Sequence, residues 1–394
     1  MARRRWLVGG AALVLAVGGV TGAVTRPWSD SNAVFDGQVT PSDLGLTAPA
    51  YAAATPQGLL VRSGERSQVV ASSAASWLPD GMVLLTPQGG RQGLVLIDAA
   101  TGARGPEVPI DFEAPSRSVV QVNVLDPSPR APFVTAYSPD LERRWRFVLP
   151  QTPADNDYDP QYEVERNYFG AAPTVGDVTF LQWADSVGDF DDVDTDYGLL
   201  RIEGDPAEGE VEAVLVNERI VGLYLSADGG ALMALRQTRG EPCGGCVVEQ
   251  DIVEIDPATG RLAGEYGVPD GYGEAWRVSA MDKVGDRVAV RYEKRSSRAG
   301  ADRPLGTFVY DGEWSKVPGS STELTWWQGP DDLVVARVDG TEAGNDLDGY
   351  DLFWLHDGVE EALRGELEAS YTGARPRDSR YFVGSVSGQL LPPG

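Results

Sequence analysis

Short apolar runs separated by glycine, proline and aspartate fill the chain after residue 50. Runs of about four to eight residues bounded by such turn residues are typical of β-strands. An apolar period of 3.6 residues never extends beyond a few turns. The best helical candidate, residues 357–367, also fits a turn followed by an outer strand. The pattern therefore predicts an all-β chain.

One strand-and-turn phrase recurs along the chain. The copies "LVLIDAATG" and "DIVEIDPATG" end their strands near Asp98 and Asp256, and looser copies end near Glu203, Asp311 and Asp357. Most successive copies lie about 50 residues apart, and the first step is about twice as long. The missing copy in that step is predicted at "RRWRFVLP", residues 143–150.

Each repeat also contains a turn and an apolar strand ahead of the recurring phrase, as in residues 226–236. A repeat of this kind holds four strands, which form one antiparallel sheet, or blade, of a β-propeller. Six full repeats fit between residues 72 and 369. Residues 58–71 would add strands three and four of a further blade, and residues 374–388 its strands one and two. The prediction is a ring of seven four-stranded blades closed by N- and C-terminal strands, with six or eight blades as alternatives.

The phrase hydrophobic-Asp-x-x-Thr-Gly is complete at residues 97–102 and 255–260. It resembles the blades of exported propellers of the WD40-like, YVTN and quinoprotein type. The chain lacks the Trp-Asp ending of true WD40 repeats and the tryptophan docking phrase of quinoproteins. The resemblance therefore implies the fold of residues 51–390, and it does not imply quinone binding. The basic residues are almost all arginine, which resembles actinobacterial proteins.

An N-terminal segment precedes the repeats. Three arginines at residues 3–5 stand before an uncharged run at residues 6–24, which is long enough for a helix to span a bilayer. Residues 1–26 are predicted to be a signal anchor, or a signal peptide that is cleaved, and both the Sec and Tat routes stay open. Residues 27–50 are predicted to be a flexible linker, and residues 51–394 the propeller domain. The propeller would be extracytoplasmic, either held at the cell membrane by a single pass or secreted.

The net charge of the chain and the catalytic motifs that it lacks exclude several classes of function. The net charge is −26, and a polyanion repels phosphate backbones, which excludes nucleic acid as a partner. His356 is the sole histidine and no Gly-x-Ser-x-Gly elbow occurs, so a Ser-His-Asp hydrolase is not supported. The sequence favours a monomeric binding module over an enzyme. A carboxylate-based hydrolase or lyase at the channel mouth and a small-ligand (sugar) sensor are the alternatives.

Most of the unusual sequence falls in connections that open on one face of a propeller, namely those between strands two and three and the links between blades. These segments are residues 155–160, 185–198, 238–250, 293–306 and 339–351. Loops held by a rigid scaffold commonly carry binding function. The face is predicted to bind a protein or peptide of the cell envelope, with Arg295 and Arg298 among the contacting residues.

Two acidic loops have the alternate carboxylate spacing of calcium sites. Their aspartates are Asp192, Asp194 and Asp196 in one loop and Asp346 and Asp348 in the other. The closing glutamate of a twelve-residue calcium loop is absent, and solvated acidic hairpins are the alternative. Calcium is therefore the one candidate cofactor.

Cys243 and Cys246 are the only cysteines. In an exported chain, two cysteines this close are predicted to form a disulfide, with free thiols or a redox pair as alternatives. Zinc would need two more soft ligands, which the chain does not offer.

Four tryptophans are candidates for contacting a ligand. Trp326 and Trp327 are predicted on the inner strand of one blade, and Trp183 and Trp276 on the corresponding strands of two others. Aromatic rings there could line the central channel and stack on a sugar or peptide. Packing between blades is the alternative, because large aromatic side chains are effective core fillers.

Overall fold

A computed structural model describes the strands of the 394-residue chain and part of the turns between them. The described residues are 33–34, 51–55, 58–63, 66–70, 72–77, 82–87, 93–98, 103–109, 116–117, 121–126, 131–151, 164–187, 196–226, 229–239, 249–269, 276–294, 303–317, 323–329, 332–339, 349–356, 359–362 and 387–388.

The described strands form seven antiparallel sheets, which we label A to G. Sheet A contains β1 (Ala33–Val34), β2 (Tyr51–Thr55), β3 (Gly58–Ser63), β4 (Arg66–Val70) and β30 (Ser387–Gly388). Sheet B contains β5 (Ser72–Trp77), β6 (Met82–Pro87), β7 (Gly93–Asp98) and β8 (Arg104–Pro109). Sheet C contains β9 (Ser116–Arg117), β10 (Val122–Asp126), β11 (Phe133–Tyr137) and β12 (Arg143–Val148).

The remaining four sheets follow in chain order. Sheet D contains β13 (Val164–Phe169), β14 (Thr174–Val175), β15 (Val178–Val187), β16 (Tyr197–Glu203) and β17 (Val211–Val214). Sheet E contains β18 (Ile220–Leu225), β19 (Leu232–Arg239), β20 (Glu249–Ile255) and β21 (Leu262–Gly267). Sheet F contains β22 (Trp276–Val284), β23 (Arg287–Lys294), β24 (Arg303–Tyr310) and β25 (Trp314–Lys316). Sheet G contains β26 (Glu323–Gly329), β27 (Asp332–Asp339), β28 (Gly349–His356) and β29 (Val359–Ala362).

In sheets B to G, strands that follow one another along the chain pair with one another, and the short β14 pairs with β15 beside the main path of sheet D. This order confirms the predicted all-β chain of four-stranded units. The segment 357–367 contributes the outer strand β29, so the strand alternative for it is the one found. The recurring phrase ends the third strand of its sheet, as predicted, at Asp98, Glu203 and the residues after β20, β24 and β28.

Two sequence predictions differ from the structure. Residues 143–148 form the fourth and outermost strand of sheet C, where we had predicted a third strand. Most of their side chains are exposed, as expected for an edge. In sheet A, the N-terminal region supplies β1 and the three consecutive strands β2 to β4, and the C-terminal region supplies one described strand, β30. The strand at residues 51–55 was missed because its alanine-rich sequence lacks the β-branched signal.

The hydrophobic core lies between neighbouring sheets. Strand β10 is buried along its whole length because both faces of its sheet are covered, by sheet B through Val122 and by sheet D through Leu125. Further clusters fill the spaces between sheets D and E and between sheets E and F. A single sheet cannot bury both of its faces, so stacking of the sheets is what stabilises each one.

The turn after β20 shows why the recurring phrase has its composition. The Asp256 carboxylate accepts hydrogen bonds from the Ala258 N–H at 3.0 Å and from Thr259 Oγ1 at 2.6 Å. These bonds lower the pKa of Asp256, the threonine contributing most. Gly260 ends the turn at φ +65°, a conformation that other residues adopt at a cost. The phrase is therefore a local device that reverses the chain between strands three and four.

Buried cations join neighbouring sheets. Lys283 Nζ in sheet F lies 2.6 Å from Glu254 Oε2 in sheet E, and the Tyr266 hydroxyl donates to the same oxygen at 2.6 Å. Burial by itself lowers the pKa of Lys283, but the hydrogen bonds and charges of Glu254 and Tyr266 outweigh it and raise the pKa above 10.5. Similarly, Arg201 in sheet D donates to the Pro257 carbonyl oxygen of sheet E at 3.0 Å.

Among the residues that the structure describes, no helix is long and apolar enough to cross a membrane. The predicted membrane segment, residues 6–24, lies outside the described residues. Of the predicted linker, Ala33 and Val34 are described, and they pair with β4 in sheet A.

Candidate binding face

The longest connections between second and third strands belong to four consecutive sheets, D to G. They are residues 188–196, 240–248, 295–302 and 340–348, against residues 88–92 and 127–132 in sheets B and C. We call the end of the sheets where these four connections lie the loop-bearing face. The links between sheets leave from the same end, because each strand runs antiparallel to its neighbour. The turns between first and second strands lie at the opposite end.

Many of the predicted site residues lie in those connections and fall outside the described residues: Asp192, Asp194, Asp346, Asp348, Cys243, Cys246, Arg295 and Arg298. Asp196 is described and is exposed. Within the described part of the chain, no group of three or more His, Cys, Asp or Glu side chains could hold a metal ion. The calcium loops and the disulfide therefore stay predictions.

The four tryptophans occupy two kinds of position. Trp326 and Trp327 lie on β26 and Trp276 begins β22, each the first strand of its sheet, as predicted. Trp183 lies on β15, the second strand of sheet D, because β13 takes the first position; its predicted inner-strand position was wrong.

The Trp183 side chain is only 3% exposed and packs with Trp145 and Leu149 in the core between sheets C and D. The Arg166 guanidinium carbon stands 3.8 Å from the centre of its ring. Its indole N–H is buried without a hydrogen-bond partner among the described residues. In this arrangement the ring is a filler between sheets, which is the packing alternative for that residue.

An ion pair that carries no sequence motif lies at the base of the loop-bearing face. Arg166 on β13 and Asp185 on β15 are directly opposite one another, and the guanidinium binds the carboxylate with Nε–Oδ1 at 2.7 Å and Nη2–Oδ2 at 2.8 Å. Burial by itself lowers the pKa of Arg166, but the hydrogen bond and charge of Asp185 outweigh it and raise the pKa. Two-point binding fixes both side chains in one orientation.

This ion pair is connected to both adjoining chain segments. The Asp185 N–H donates to the Asp196 carbonyl oxygen at 2.8 Å, which joins the two ends of the acidic connection 188–196. On the other strand, the Tyr168 hydroxyl donates to the Pro150 carbonyl oxygen at 2.7 Å, where the link from sheet C begins. Burial raises the pKa of Tyr168 to about 12. The base of the face is therefore a fixed platform, to which the described ends of the acidic connection are attached.

A strained turn stands next to this platform, in the link from sheet D to sheet E. Leu215 and Asn217 both have left-handed backbones, at φ +48° and +67°, and Val216 between them is 48% exposed. The Asn217 N–H donates to the Tyr197 carbonyl oxygen at 2.8 Å, which holds the turn against the start of β16. Left-handed non-glycine residues cost about 1 kcal/mol each and occur often at functional sites.

The comparisons with known proteins show a fold. No family model matches the chain, and no curated protein matches it in sequence. The β-propeller domain of the Trilobed protease from Pyrococcus furiosus is similar, with a TM-score of 0.52 and 10% identity over 79% of this chain and 91% of that chain. The chain therefore has a β-propeller fold, as predicted.

Two further solved structures are similar at lower scores. The acylaminoacyl peptidase of Pyrococcus horikoshii has a TM-score of 0.48 and 13% identity, over 77% of this chain and 47% of that chain. The WD40 domain of SCAP from fission yeast has a TM-score of 0.36 and 9% identity, over 80% of this chain and 87% of that chain.

Proposed function

We propose that the chain is an exported, membrane-tethered β-propeller of the actinobacterial repeat type, whose loop-bearing face binds a protein or peptide in the cell envelope. The proposal includes a ring of seven blades, one for each of sheets A to G. The C-terminal strand β30 pairs with β2 and contacts β26 and β5, the first strands of sheets G and B. A strand in that position would join the two ends of the ring and leave no open edge.

The observation that carries the proposal is the uneven length of the connections. Four consecutive sheets extend the same connection to eight or nine residues, whereas the turns between first and second strands are short in sheets F and G, at residues 285–286 and 330–331, and sheet D has a longer one, residues 170–177. Joining two neighbouring antiparallel strands does not require eight or nine residues, so the repeated length of this connection in four consecutive sheets favours a function for it. Connections that a rigid scaffold holds side by side are the usual place for binding residues.

The charges of these connections favour a polypeptide partner. Residues 188–196 carry five aspartates and no basic residue, whereas residues 294–303 carry Lys294, Arg295, Arg298 and Arg303 against one aspartate. A surface that carries both signs of charge is complementary to a partner that also carries both signs. The propeller domain that shares this fold belongs to a protease, which is in line with a polypeptide ligand.

The platform beneath the connections supports the same function. The bidentate Arg166–Asp185 pair and the bond between Asp185 and Asp196 fix both ends of the acidic connection before a partner arrives. Pre-ordered anchor points reduce the entropy that is lost on binding.

The experiment is a crosslinked pull-down of the full-length protein from its native membrane, quantified by mass spectrometry. In one variant, residues 188–196 and 340–348 are replaced by Gly-Ser sequence of equal length, which leaves Asp185 and its partner intact. In the matched control, residues 88–92 of sheet B are replaced in the same way. The proposal expects one enriched partner that is lost in the first variant and kept in the control. No enriched partner, or equal loss in both variants, would refute it and direct the search to sugar and peptide substrates.

A further inference from the structure

The outer strand of sheet C is basic in a chain that is otherwise strongly acidic. Strand β12 has the sequence RRWRFV, and Arg143, Arg144 and Arg146 are all exposed. Among the residues that the structure describes, none of the three arginines has a carboxylate partner. By contrast, the outer strands β17, β21 and β29 each carry glutamate and no basic residue.

A β-bulge arranges two of these arginines on one face. Tyr137 pairs with Arg143, and Ala136 pairs with Trp145, so Arg144 is the additional residue. The bulge places Arg143 on the same side of the sheet as Arg146, whereas Trp145 on the other side packs into the core with sheet D. Both arginines lie close enough to Tyr137 for their charges to oppose the effect of burial, which raises the pKa of that tyrosine.

Apolar side chains lie next to Arg143 and Arg146 on the same face of the sheet. The guanidinium carbon of Arg146 lies 3.4 Å from the centre of the Phe133 ring, so the ring holds that side chain against the sheet. Val148 pairs with Phe133, two positions beyond Arg146 on the same face, and is 62% exposed. We call Arg143, Arg146, Val148 and Phe133 the basic strip.

One function of charge on an edge strand is to prevent edge-to-edge association, and the bulge at Arg144 would serve that function too. That function does not require a stacked arginine or an exposed valine beside it. It is also served by glutamate on the outer strands β17, β21 and β29. The basic strip places two exposed arginines on one face of the sheet, one of them stacked on an aromatic ring. An exposed apolar side chain follows two positions along the strand.

We propose that the basic strip is a second binding site, which takes an acidic, extended segment of a partner polypeptide. Two carboxylates of the segment pair with Arg143 and Arg146, and an apolar side chain two or three positions along covers Val148. The partner chemistry follows from charge complementarity, because Arg143 and Arg146 have no carboxylate partner among the described residues while the protein as a whole has a net charge of −26. The site lies on the outer strand of sheet C and does not depend on the loop-bearing face.

The test uses the full-length protein in detergent and a short fluorescein-labelled peptide of alternating glutamate and valine, with binding measured by fluorescence anisotropy. R143E/R146E should weaken binding about tenfold or more, since two ion pairs are lost and repulsion replaces them. The matched control R261E/K316E reverses two exposed charges on sheets E and F and should bind like the wild type. V148T should weaken binding about threefold, because it keeps the shape and removes apolar contact.

Three results would overturn the proposal. The first is equal weakening in R143E/R146E and R261E/K316E, which would mean attraction by overall charge. The second is unchanged binding by V148T together with equal binding of an all-glutamate peptide, which would mean that no apolar contact forms. The third is binding that appears only after Asp155, Asp157 and Asp159 are changed to asparagine, because the chain's own acidic link would then be the occupant.

Discussion

The Arg166 guanidinium and the Asp185 carboxylate form a two-point ion pair across β13 and β15, with both N–O distances below 3 Å. Asp185 is 4% exposed, so the ion pair with Arg166 lies almost entirely away from solvent. The pair is the described feature that ties the acidic connection of sheet D to the body of its sheet.

Arg166→Met should lower the free energy of unfolding by about 3 kcal/mol, since it removes the two-point ion pair of a buried carboxylate. Methionine keeps much of the contact with Trp183, so the decrease in unfolding free energy is due mainly to the missing charge. The measurement is urea denaturation followed by tryptophan fluorescence. R166M/D185L, which removes both charges, should be less destabilised than R166M alone. A loss for R166M below about 1 kcal/mol would show that the pair is solvated and weak.

Tyr168 should make the protein sensitive to alkali. Burial raises the pKa of its hydroxyl to about 12 in the folded protein, while an unfolded tyrosine ionises near 10. The folded state therefore holds the proton more tightly, and the stabilisation is complete below pH 10 and lost as the pH rises from 10 to 12. Denaturation curves across this range should show a steeper loss for the wild type than for Y168F. Parallel curves would contradict the assignment.

Gly260 should be the least replaceable residue of the recurring turn. An added Cβ would lie 2.8 Å from Val214 Cγ1, and the residue has φ +65°. Gly267 has nearly the same backbone, at φ +62°, but nothing within 4 Å of an added Cβ. Gly267→Ala should cost about 1 kcal/mol from backbone strain, and Gly260→Ala about 1–2 kcal/mol more from the clash. Equal losses in thermal denaturation would show that Val214 moves aside freely.

Cys243 and Cys246 should be joined in the exported protein. Intact mass spectrometry after alkylation should detect no added alkyl group until the protein is reduced, and two groups afterwards. A cytoplasmic version without residues 1–26 is the control and should react without reduction. Alkylation of the exported form without prior reduction would contradict the disulfide and support free thiols.

Sequence patterns predicted those parts of the molecule whose chemistry is local. The Asp256 turn could be identified because one aspartate, one threonine and one glycine make it within five residues. The same phrase placed the third strands of sheets B, D, E, F and G correctly. The third strand of sheet C was predicted at β12, although it is β11, because sheet C lacks a copy of the recurring phrase.

Contacts between distant residues could not be predicted in this way. Arg166 and Asp185 are 19 residues apart and belong to no motif, and 59 acidic residues offer too many alternative partners. Trp183 likewise could not be assigned to the core until β13 was known to precede β15 in sheet D. In both cases the register between strands decides the contact, and register depends on the whole sheet.

Site-specific photocrosslinking tests the binding face most directly. A photoreactive phenylalanine analogue replaces Val216, which is exposed on the loop-bearing face, or Asp286, which is exposed in the turn at the opposite end. Irradiation of cells that carry each full-length variant should produce a covalent adduct with a polypeptide partner from position 216 and not from position 286. An adduct from position 286 alone, or equal adducts from both positions, would contradict binding at the loop-bearing face.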